Sequence, residues 1–340
     1  MEKKLRETLK KMHYGLVGES GAVQICRWTK NSLRGDRGCW KEKFYGVSSA
    51  GCCEMTPNVM NCENKCLHCW RPIEFNLGID VKEPMNPREL LRGILEERKK
   101  LLNGFGGNKS VDKKDLEKAM EPSLYTTSLS GEPTLYPYLG ELFKIIREEK
   151  KAVSFLVTNG QNPDVLSGFK DDELPTQIAI STNCPNKELF VKWHRSCHND
   201  SWERFLRSLD VLKSLEGKVR RVVRLTIVKD GGGENRREND GGDSKYTELN
   251  NMKDEHVKEY ADLIRRAEPD FIHVKGFKSV GYSRERLGYD KQPWFLEVKE
   301  FSEKLAGELK KDGYEISAED ERCCVVMLAK KGKKLKIEKV

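Results

Sequence analysis

The alternation of strand-like and helix-like segments constrains the fold of this chain more than any other feature. Six strand–helix units follow one another, from a first strand just before residue 62 to a sixth strand over Phe271–Lys275. Strands that alternate with helices predict a parallel sheet with right-handed crossover connections. Two further strand-like segments, Tyr314–Ser317 and Cys323–Ala329, follow the last unit. We therefore expect an α/β fold with a parallel sheet and additional C-terminal strands.

Local signals define the individual elements. Asn86, Pro87 and Glu89 supply a helix N-cap, a proline in the first turn and an early acidic residue, and apolar residues then recur at helical spacing. By contrast, segments 15–51 and 103–115 are rich in glycine and basic residues and are expected to be irregular. The other predicted strands lie at 123–129, 152–157, 177–180 and 219–228, and the other predicted helices at 3–12, 138–150, 164–168, 201–215, 254–267 and 294–310.

Polar and glycine-rich segments follow the strands at the point where each strand reaches its carboxyl end. In barrel-like parallel sheets these ends meet on one face, and the chemistry of the protein lies there. We therefore expect a functional site on that face. It would be built from the five segments at 58–70, 130–134, 158–160, 181–184 and 275–284.

The segment at 58–70 carries three cysteines, Cys62, Cys66 and Cys69, at C-x3-C-x2-C spacing. Three thiolates are one ligand short of a closed tetrahedral zinc site, and on a 4Fe–4S cluster they would leave one iron open to a small molecule. Structural zinc sites usually add a second cysteine pair or histidines, and neither follows here at a suitable distance. The spacing favours a cluster, with zinc as the alternative.

Three further cysteines precede this segment at equal spacing, since twelve residues separate Cys26 from Cys39 and twelve separate Cys39 from Cys52. Seven of the eleven cysteines lie before residue 70, and nothing in the sequence indicates an oxidising compartment. The pattern predicts a second metal centre rather than disulfides. Cys53 is an alternative to Cys52, and the equal spacing favours Cys52.

The composition of this 340-residue chain argues against a membrane protein and permits a nucleic-acid partner. Charged residues make up 34% and the mean hydropathy is −0.69, and no window approaches the roughly 18 consecutive apolar residues of a membrane helix. The charged N-terminus shows no signal peptide, so we expect a cytoplasmic protein. The formal net charge of +8 suits an anionic partner such as nucleic acid. The polar stretch 229–253 predicts a flexible insertion.

The cysteine spacing, together with the segment 130–133 (Ser-Gly-Glu-Pro) after a strand, resembles the radical S-adenosylmethionine (radical SAM) superfamily. In that superfamily the open iron of a 4Fe–4S cluster binds SAM, and reductive cleavage of SAM releases a 5′-deoxyadenosyl radical. The resemblance implies a partial (βα)6 barrel that is similar to a TIM barrel. It also implies SAM contacts from Gly131, Glu132, Pro133, Asn159 and Ser181.

The chain is similar to one family within that superfamily, the 4-demethylwyosine synthases that modify tRNA in wybutosine biosynthesis. The similarity runs from about residue 15 to the C-terminus and includes both cysteine patterns. It implies that Cys26, Cys39 and Cys52 hold a second 4Fe–4S cluster that binds pyruvate, and that Lys41 forms a Schiff base with this pyruvate. The other matching motifs are 130–137, 157–160, 201–205, 224–226 and 269–276.

The resemblance also implies the reaction, which belongs to the carbon–carbon lyase and synthase class. In this family 1-methylguanosine next to the anticodon of phenylalanine tRNA condenses with carbons two and three of pyruvate to give a tricyclic base. The radical removes hydrogen from the N-methyl group, and the resulting carbon radical adds to pyruvate, whose first carbon is lost. Two alternatives stay open: a zinc-containing nucleic-acid-binding module without catalysis, and a radical SAM enzyme whose second cluster serves another substrate, such as a peptide.

We expect three parts in the chain. An N-terminal extension over 1–55 would carry the second-cluster cysteines, a radical SAM partial barrel would cover 56–285, and a C-terminal helix and strands would cover 286–340. No flavodoxin-like domain precedes the first cysteines, so we expect the archaeal form, a monomer that uses an external flavin or ferredoxin-type electron donor. Candidate surfaces for tRNA are the basic runs Lys109–Lys114, Arg220–Arg224, Lys275–Arg286 and Lys330–Lys336.

Overall fold

Ten strands form a single sheet in the computed structural model, which describes residues 1–231 and 249–338. The strand order across the sheet is β1-β2-β3-β4-β5-β6-β7-β8-β10-β9. The strands are β1 (Gly15–Val17), β2 (Gly21–Gln24), β3 (Cys52–Thr56), β4 (Leu124–Thr127), β5 (Val153–Thr158), β6 (Gln177–Ser181), β7 (Arg220–Ile227), β8 (Phe271–Gly276), β9 (Tyr314–Asp320) and β10 (Val325–Lys330).

The six central strands, β3 to β8, are parallel to their neighbours, which confirms the predicted arrangement of strand–helix units. Antiparallel strands extend both edges. Strands β2 and β1 pair beside β3, while β10 and then β9 pair beside β8. The sheet is that of a partial (βα)6 barrel, with an N-terminal hairpin and the predicted C-terminal strands added to it.

Most of the helices connect successive parallel strands. The first long one, α4, begins as the sequence predicts, because the side chain of Asn86 accepts a hydrogen bond from the Arg88 amide at 3.0 Å and Pro87 lies in the first turn. The helices are α1 (Lys3–Lys11), α2 (Arg27–Leu33), α3 (Trp40–Tyr45), α4 (Pro87–Leu102), α5 (Lys113–Met120), α6 (Leu139–Glu148), α7 (Pro163–Ser167), α8 (Lys187–His194), α9 (Ser201–Ser214), α10 (Asp254–Ala267), α11 (Ser283–Leu287) and α12 (Phe295–Glu308).

Several short elements were not predicted. The segment 15–51 is not irregular, since it contains β1, β2, α2 and α3, and the end of segment 103–115 begins α5. Helices α2 and α3 have seven and six residues, fewer than two full turns, so they cannot display a repeating apolar face. The same reason applies to α11, which has five residues, while α8 has eight residues and spans only slightly more than two turns.

The two faces of the parallel sheet bury separate clusters of apolar side chains. Side chains alternate between faces along a strand. Val223 and Ile272 therefore pack in the large cluster beneath the helices, whereas Val222 and Phe271 belong to a second cluster on the inner face. Trp40 of α3 also belongs to the inner cluster. The N-terminal segment thus covers part of the barrel interior.

The predicted insertion is anchored at both ends. Residues 232–248 lie outside the described residues, so the flexible insertion stays a prediction. On either side of them, the Asn251 amide donates to the Val228 carbonyl at 3.2 Å, and the Asn251 side chain donates to the carbonyls of Asn183 and Thr226. No helix in the described ranges is long and apolar enough to cross a bilayer.

Candidate active site

A cavity of about 740 Å³ opens at the carboxyl ends of the parallel strands, where the sequence predicts the functional site. All five predicted segments contribute to its wall. Pro133, which begins a short turn of helix and is buried, is the predicted SAM-contacting residue that does not line it. The predicted site residues that do line it are Cys62, Cys66, Cys69, Gly131, Glu132, Asn159 and Ser181.

The loop that carries Cys62, Cys66 and Cys69, here called the cluster loop, is tied to α8. The amides of Lys65 and Leu67 donate to the carbonyls of His194 and Trp193 at 2.9 and 3.0 Å. Nδ1 of His194 lies 3.0 Å from Sγ of Cys66. Burial lowers the pKa of His194 to about 3, so the ring is neutral. This contact was missed from the sequence, because α8 itself was not predicted.

Arg286 of α11 fixes the other side of the cluster loop. Its guanidinium donates to the carbonyls of Leu67 (3.2 Å), Cys69 and Arg71 (3.3 Å) and forms an ion pair with Glu74 at 2.8 Å. The residue as a whole is only 8% exposed. Arg286 therefore serves the cluster loop, and its assignment to a basic run on a tRNA-binding surface is wrong.

The three cysteines of the cluster loop are free thiols that open onto the cavity. Burial raises the pKa of all three, so they require a metal to lose their protons near neutral pH. Within the described ranges no three His, Cys, Asp or Glu side chains converge on a single metal ion. A cluster differs from such a site, because each cysteine binds its own iron. Three half-buried thiols on one cavity wall fit a 4Fe–4S cluster with one open position.

Position 131 has room only for glycine, because backbone oxygen atoms lie where a side chain would begin. Its φ is +71°, and a Cβ atom placed on it would lie 2.1 Å from the Asn58 carbonyl oxygen and 2.7 Å from that of Asn61. The next residue, Glu132, donates its amide to the Asn61 carbonyl at 2.7 Å. The Gly-Glu-Pro turn is thus pressed against the backbone that leads into the cluster loop, and only glycine allows this approach.

The carboxylate of Glu132 accepts hydrogen bonds from neighbouring groups of the protein. It accepts hydrogen bonds from the hydroxyls of Thr134 and Thr158, both at 2.7 Å, and from the Asn159 amide at 2.8 Å. Burial, and then the neighbouring carboxylate of Glu63, raises the pKa of Glu132 to about 7. The side chain joins the segments after β4 and β5, and so positions Asn159 at the cavity wall.

Cys26, Cys39 and Cys52 line a second, smaller cavity of about 210 Å³ together with Lys41. Cys26 and Cys39 stand at the N-caps of α2 and α3, and Cys52 is the first residue of β3. The two short helices therefore bring together cysteines that are far apart in sequence. Burial raises the pKa of Cys26 to about 12 and that of Cys39 to about 11.

Cys52 and Cys53 point to opposite faces of the sheet. Cys52 belongs to the inner cluster and lies within the smaller cavity, whereas Cys53 is fully buried in the cluster beneath the helices. This is the alternation expected of successive residues in a strand. The structure therefore places Cys52, and not Cys53, beside Cys26 and Cys39.

Lys41 lies among these thiols. Its Nζ donates to Sγ of Cys52 at 3.3 Å. Burial by itself would lower the pKa of this amine, but the negative charge available on Cys52, Cys39, Cys26 and Glu54 outweighs burial and raises the pKa above its usual value. Lys41 is the lysine that the sequence singled out, and it faces the smaller cavity.

The two cavities adjoin each other. The tryptophans Trp28, Trp40 and Trp70 line both of them, as do the cations Arg224 and Lys275. Burial, and then the charge of Arg224, lowers the pKa of Lys275 to about 8. Lys275 begins the predicted site segment 275–284, whereas Arg224 lies in none of the five predicted segments. A molecule bound in one cavity would therefore lie next to a molecule bound in the other.

A partial (βα)6 barrel with a three-cysteine loop and a Gly-Glu-Pro turn on one cavity defines a radical SAM enzyme. The family profile described as the radical SAM superfamily matches residues 59–240, which is more than half of the chain. The profile described as wyosine base formation matches residues 266–330. The second match covers β8, α12 and both C-terminal strands, and with them Lys275.

Relatives of known activity specify the family. The S-adenosyl-L-methionine-dependent tRNA 4-demethylwyosine synthase of Pyrococcus horikoshii is 38% identical over 330 residues, which cover 96% of this chain and 89% of that protein. The chain therefore belongs to the tRNA 4-demethylwyosine synthase family. The enzyme of the same name from Oryza sativa is 37% identical over 96% of this chain, but the match covers only 46% of the plant protein.

Solved structures agree with this assignment. A structure of TYW1 with a lysine–pyruvate adduct bound superposes with a TM-score of 0.78 at 27% identity and covers 99% of this chain and 98% of that one. A crystal structure of archaeal TYW1 gives a TM-score of 0.74 at 26% identity over 99% of this chain. As a radical SAM enzyme of this family the chain uses SAM and a 4Fe–4S cluster, and the alternative of a zinc-containing module without catalysis is wrong.

Proposed function

We propose that this enzyme condenses 1-methylguanosine in phenylalanine tRNA with pyruvate and forms the tricyclic 4-demethylwyosine base. The observation that carries the proposal is the shared wall between the two cysteine-lined cavities. One cavity has the features of a SAM site, and the other holds Lys41 beside three cysteines. A radical formed in the first would need to reach only an adjacent space to act on a base next to the second substrate.

In this proposal Cys62, Cys66 and Cys69 hold the first 4Fe–4S cluster. A cluster held by these three cysteines, with SAM bound, would supply the 5′-deoxyadenosyl radical. The chain itself orients the cofactor. Gly131 and Glu132 shape the wall, with Pro133 buried behind it, while Asn159 and Ser181 add polar side chains to the lining. The side chain of Trp70 lines both cavities.

In the smaller cavity Cys26, Cys39 and Cys52 would hold the second 4Fe–4S cluster. Lys41 would attack the keto carbon of pyruvate, forming a C–N bond and releasing water. The amine must be neutral to do so, and the thiolate charge that stabilises its ammonium form falls when the thiolates bind metal. The superposed TYW1 structure with a lysine–pyruvate adduct supports this role for a lysine in a fold of this kind.

The tRNA would reach the larger cavity from the surface. Of the four basic runs, 220–224 and 275–286 turn several cations inward: Arg221 is paired with Asp270, Arg286 is buried against the cluster loop, and Arg224 lines the cavities. Runs 109–114 and 330–336 lie mostly exposed and remain the candidates for phosphate contacts. The reductant would be an external flavin or ferredoxin-type carrier, acting on a cytoplasmic monomer with the three parts described above.

An anaerobic reaction tests the proposal. The protein with its iron–sulfur clusters reconstituted would be mixed with SAM, a strong reductant, tRNA containing 1-methylguanosine and pyruvate labelled either at carbon one or at carbons two and three. We expect a tricyclic nucleoside that retains only the second label. Formation of 5′-deoxyadenosine without a tricyclic base would contradict the proposed substrates and favour another substrate, such as a peptide.

A further inference from the structure

Arg224 stands out among the three arginines of β7. Arg220 donates to the carbonyls of Lys334 and Leu335, both at 2.9 Å, and Arg221 forms an ion pair with Asp270 at 3.1 Å. The side chain of Arg224 has no hydrogen-bond or ion-pair partner in residues 1–231 and 249–338, and its Nε is fully buried. The Nε atoms of Arg220 and Arg221 are also buried without a partner, but the other guanidinium nitrogens of those two residues are paired. The half-buried Arg224 has no such compensation, which is costly for a charged group, so its position requires another explanation.

The surroundings of Arg224 carry an excess of positive charge. Lys41, Arg224 and Lys275 all line the smaller cavity, and among the described residues only one carboxylate, that of Glu54, lines it with them. Burial lowers the pKa of Arg224, which shows how poorly the protein compensates its charge. A 4Fe–4S core of charge +2 held by the three cysteine thiolates of this cavity would add a net charge of −1. Three cations would still exceed the cluster and one carboxylate by one positive charge, which suits a small anionic ligand.

Arg224 lines both of the cavities that are proposed to hold the substrates. It lies in β7 opposite Ser181 of β6 and His273 of β8, on the same inner face as Val222. From there it lines the smaller cavity with Lys41 and the larger cavity with the cluster loop. The planar fork of a guanidinium matches a carboxylate with two parallel hydrogen bonds, which an ammonium group cannot reproduce.

We propose that Arg224 binds the carboxylate of the keto-acid substrate and so restricts the smaller cavity to small α-keto acids. This inference rests on the proposed function, in which Lys41 engages the keto carbon. Lys41 then holds the keto end and Arg224 the carboxylate end of one small molecule, which fixes its orientation toward the larger cavity. A ketone or keto amide of the same size would lack the charge that Arg224 recognises.

Trapping of the Schiff base tests the inference without the radical reaction. The reconstituted protein is incubated with pyruvate or with uncharged pyruvamide and reduced with borohydride, and the adduct on Lys41 is quantified by mass spectrometry. For Arg224→Gln we expect the half-saturating pyruvate concentration to rise about tenfold to a hundredfold, as for loss of a charged hydrogen-bonding partner. We expect the value for pyruvamide to stay unchanged. Arg224→Lys should give an intermediate preference, and the exposed Arg284→Gln should behave as the wild type.

The outcomes separate this inference from the proposed function. No adduct in the wild-type protein would contradict the role of pyruvate itself. An adduct in the wild type, with an unchanged preference for pyruvate over pyruvamide in Arg224→Gln, would show that the carboxylate is held elsewhere and would overturn the inference. An equal loss with both compounds, in Arg224→Lys as well as Arg224→Gln, would assign Arg224 to the structure of the cavity and would also overturn it.

Discussion

The Nζ of Lys41 lies 3.3 Å from Sγ of Cys52. Lys41 is in the first turn of α3, two residues after Cys39, whereas Cys52 begins β3, so this contact joins a helix of the N-terminal segment to the first parallel strand. It places an amine in direct contact with one of three cysteines that share a cavity. The contact thereby couples the proposed site of Schiff-base chemistry to the proposed site of the second cluster.

Replacing Lys41 separates these two roles. We expect Lys41→Ala to retain iron and to cleave SAM to 5′-deoxyadenosine. Its rate of tricyclic product formation should fall more than about a hundredfold, because no amine remains to hold the keto acid. Product is measured by nucleoside mass spectrometry. Lys43→Ala, on the exposed side of the same helix, is the control and should keep its activity. Normal turnover by Lys41→Ala would remove this residue from the chemistry.

Gly131 should tolerate no side chain. In Gly131→Ala the new Cβ meets backbone oxygen atoms, which cannot move aside as a flexible side chain could, and we expect a loss of about 3 kcal/mol or more in the free energy of unfolding. Gly313→Ala has a similar positive φ with nothing within 4 Å of the added Cβ, so it should cost only about 1–2 kcal/mol. Denaturant unfolding measures both. Equal losses would show that the close contact at Gly131 is unimportant.

Arg286→Lys should loosen the cluster loop. Lysine keeps the charge but cannot bridge the carbonyls of Leu67, Cys69 and Arg71, so we expect a chelator to remove iron at least about tenfold faster than from the wild type. The decay of visible absorption reports this rate. Arg284→Lys, on the exposed side of α11, is the matched control. Identical rates in the two variants would contradict the clamping role of Arg286.

Glu132 should make stability depend on pH. Burial, and then the charge of Glu63, raises the pKa of Glu132 from its ordinary value of 4.5 to about 7. The folded state therefore binds one more proton than the unfolded state between these values, and stability falls as the pH rises through them. Glu132→Gln lacks this dependence. As the pH rises from 5 to 8, the difference in free energy of unfolding between the variant and the wild type should therefore shift in favour of the variant by on the order of 2 kcal/mol. If the stability of Glu132→Gln followed the same pH dependence as that of the wild type, the prediction would be contradicted. The control Glu141→Gln changes an exposed carboxylate and should follow the wild-type pH dependence.

Patterns with a clear period or spacing were read correctly from the sequence. The six parallel strands, the long helices and the gathering of Cys62, Gly131 and Asn159 at one cavity all follow from local periodicity and from the geometry of parallel sheets. The preference for Cys52 over Cys53 rested on spacing alone. The alternation of side chains in β3 now supplies a physical reason for it.

Features that depend on long-range contacts could not be read in this way. His194 approaches Cys66 across 128 positions, and Arg286 reaches the cluster loop across more than 200. Charge runs were the weakest guide, because a run does not show which arginines turn inward. Arg221 and Arg224 belong to one run, yet one is paired inside the protein and the other faces the cavities.

Iron analysis of cysteine variants tests the central claim, that two sets of three cysteines hold two separate 4Fe–4S clusters. The anaerobically reconstituted wild type should contain about eight irons and eight acid-labile sulfides per chain, and either triple alanine variant about four of each. The sets are Cys62, Cys66 and Cys69 in one variant and Cys26, Cys39 and Cys52 in the other.

The two variants should differ in one respect. Only the variant that keeps Cys62, Cys66 and Cys69 should still cleave SAM, while the exposed Cys197→Ala should match the wild type in both measurements. About four irons in the wild type, unchanged by removal of Cys26, Cys39 and Cys52, would contradict the account.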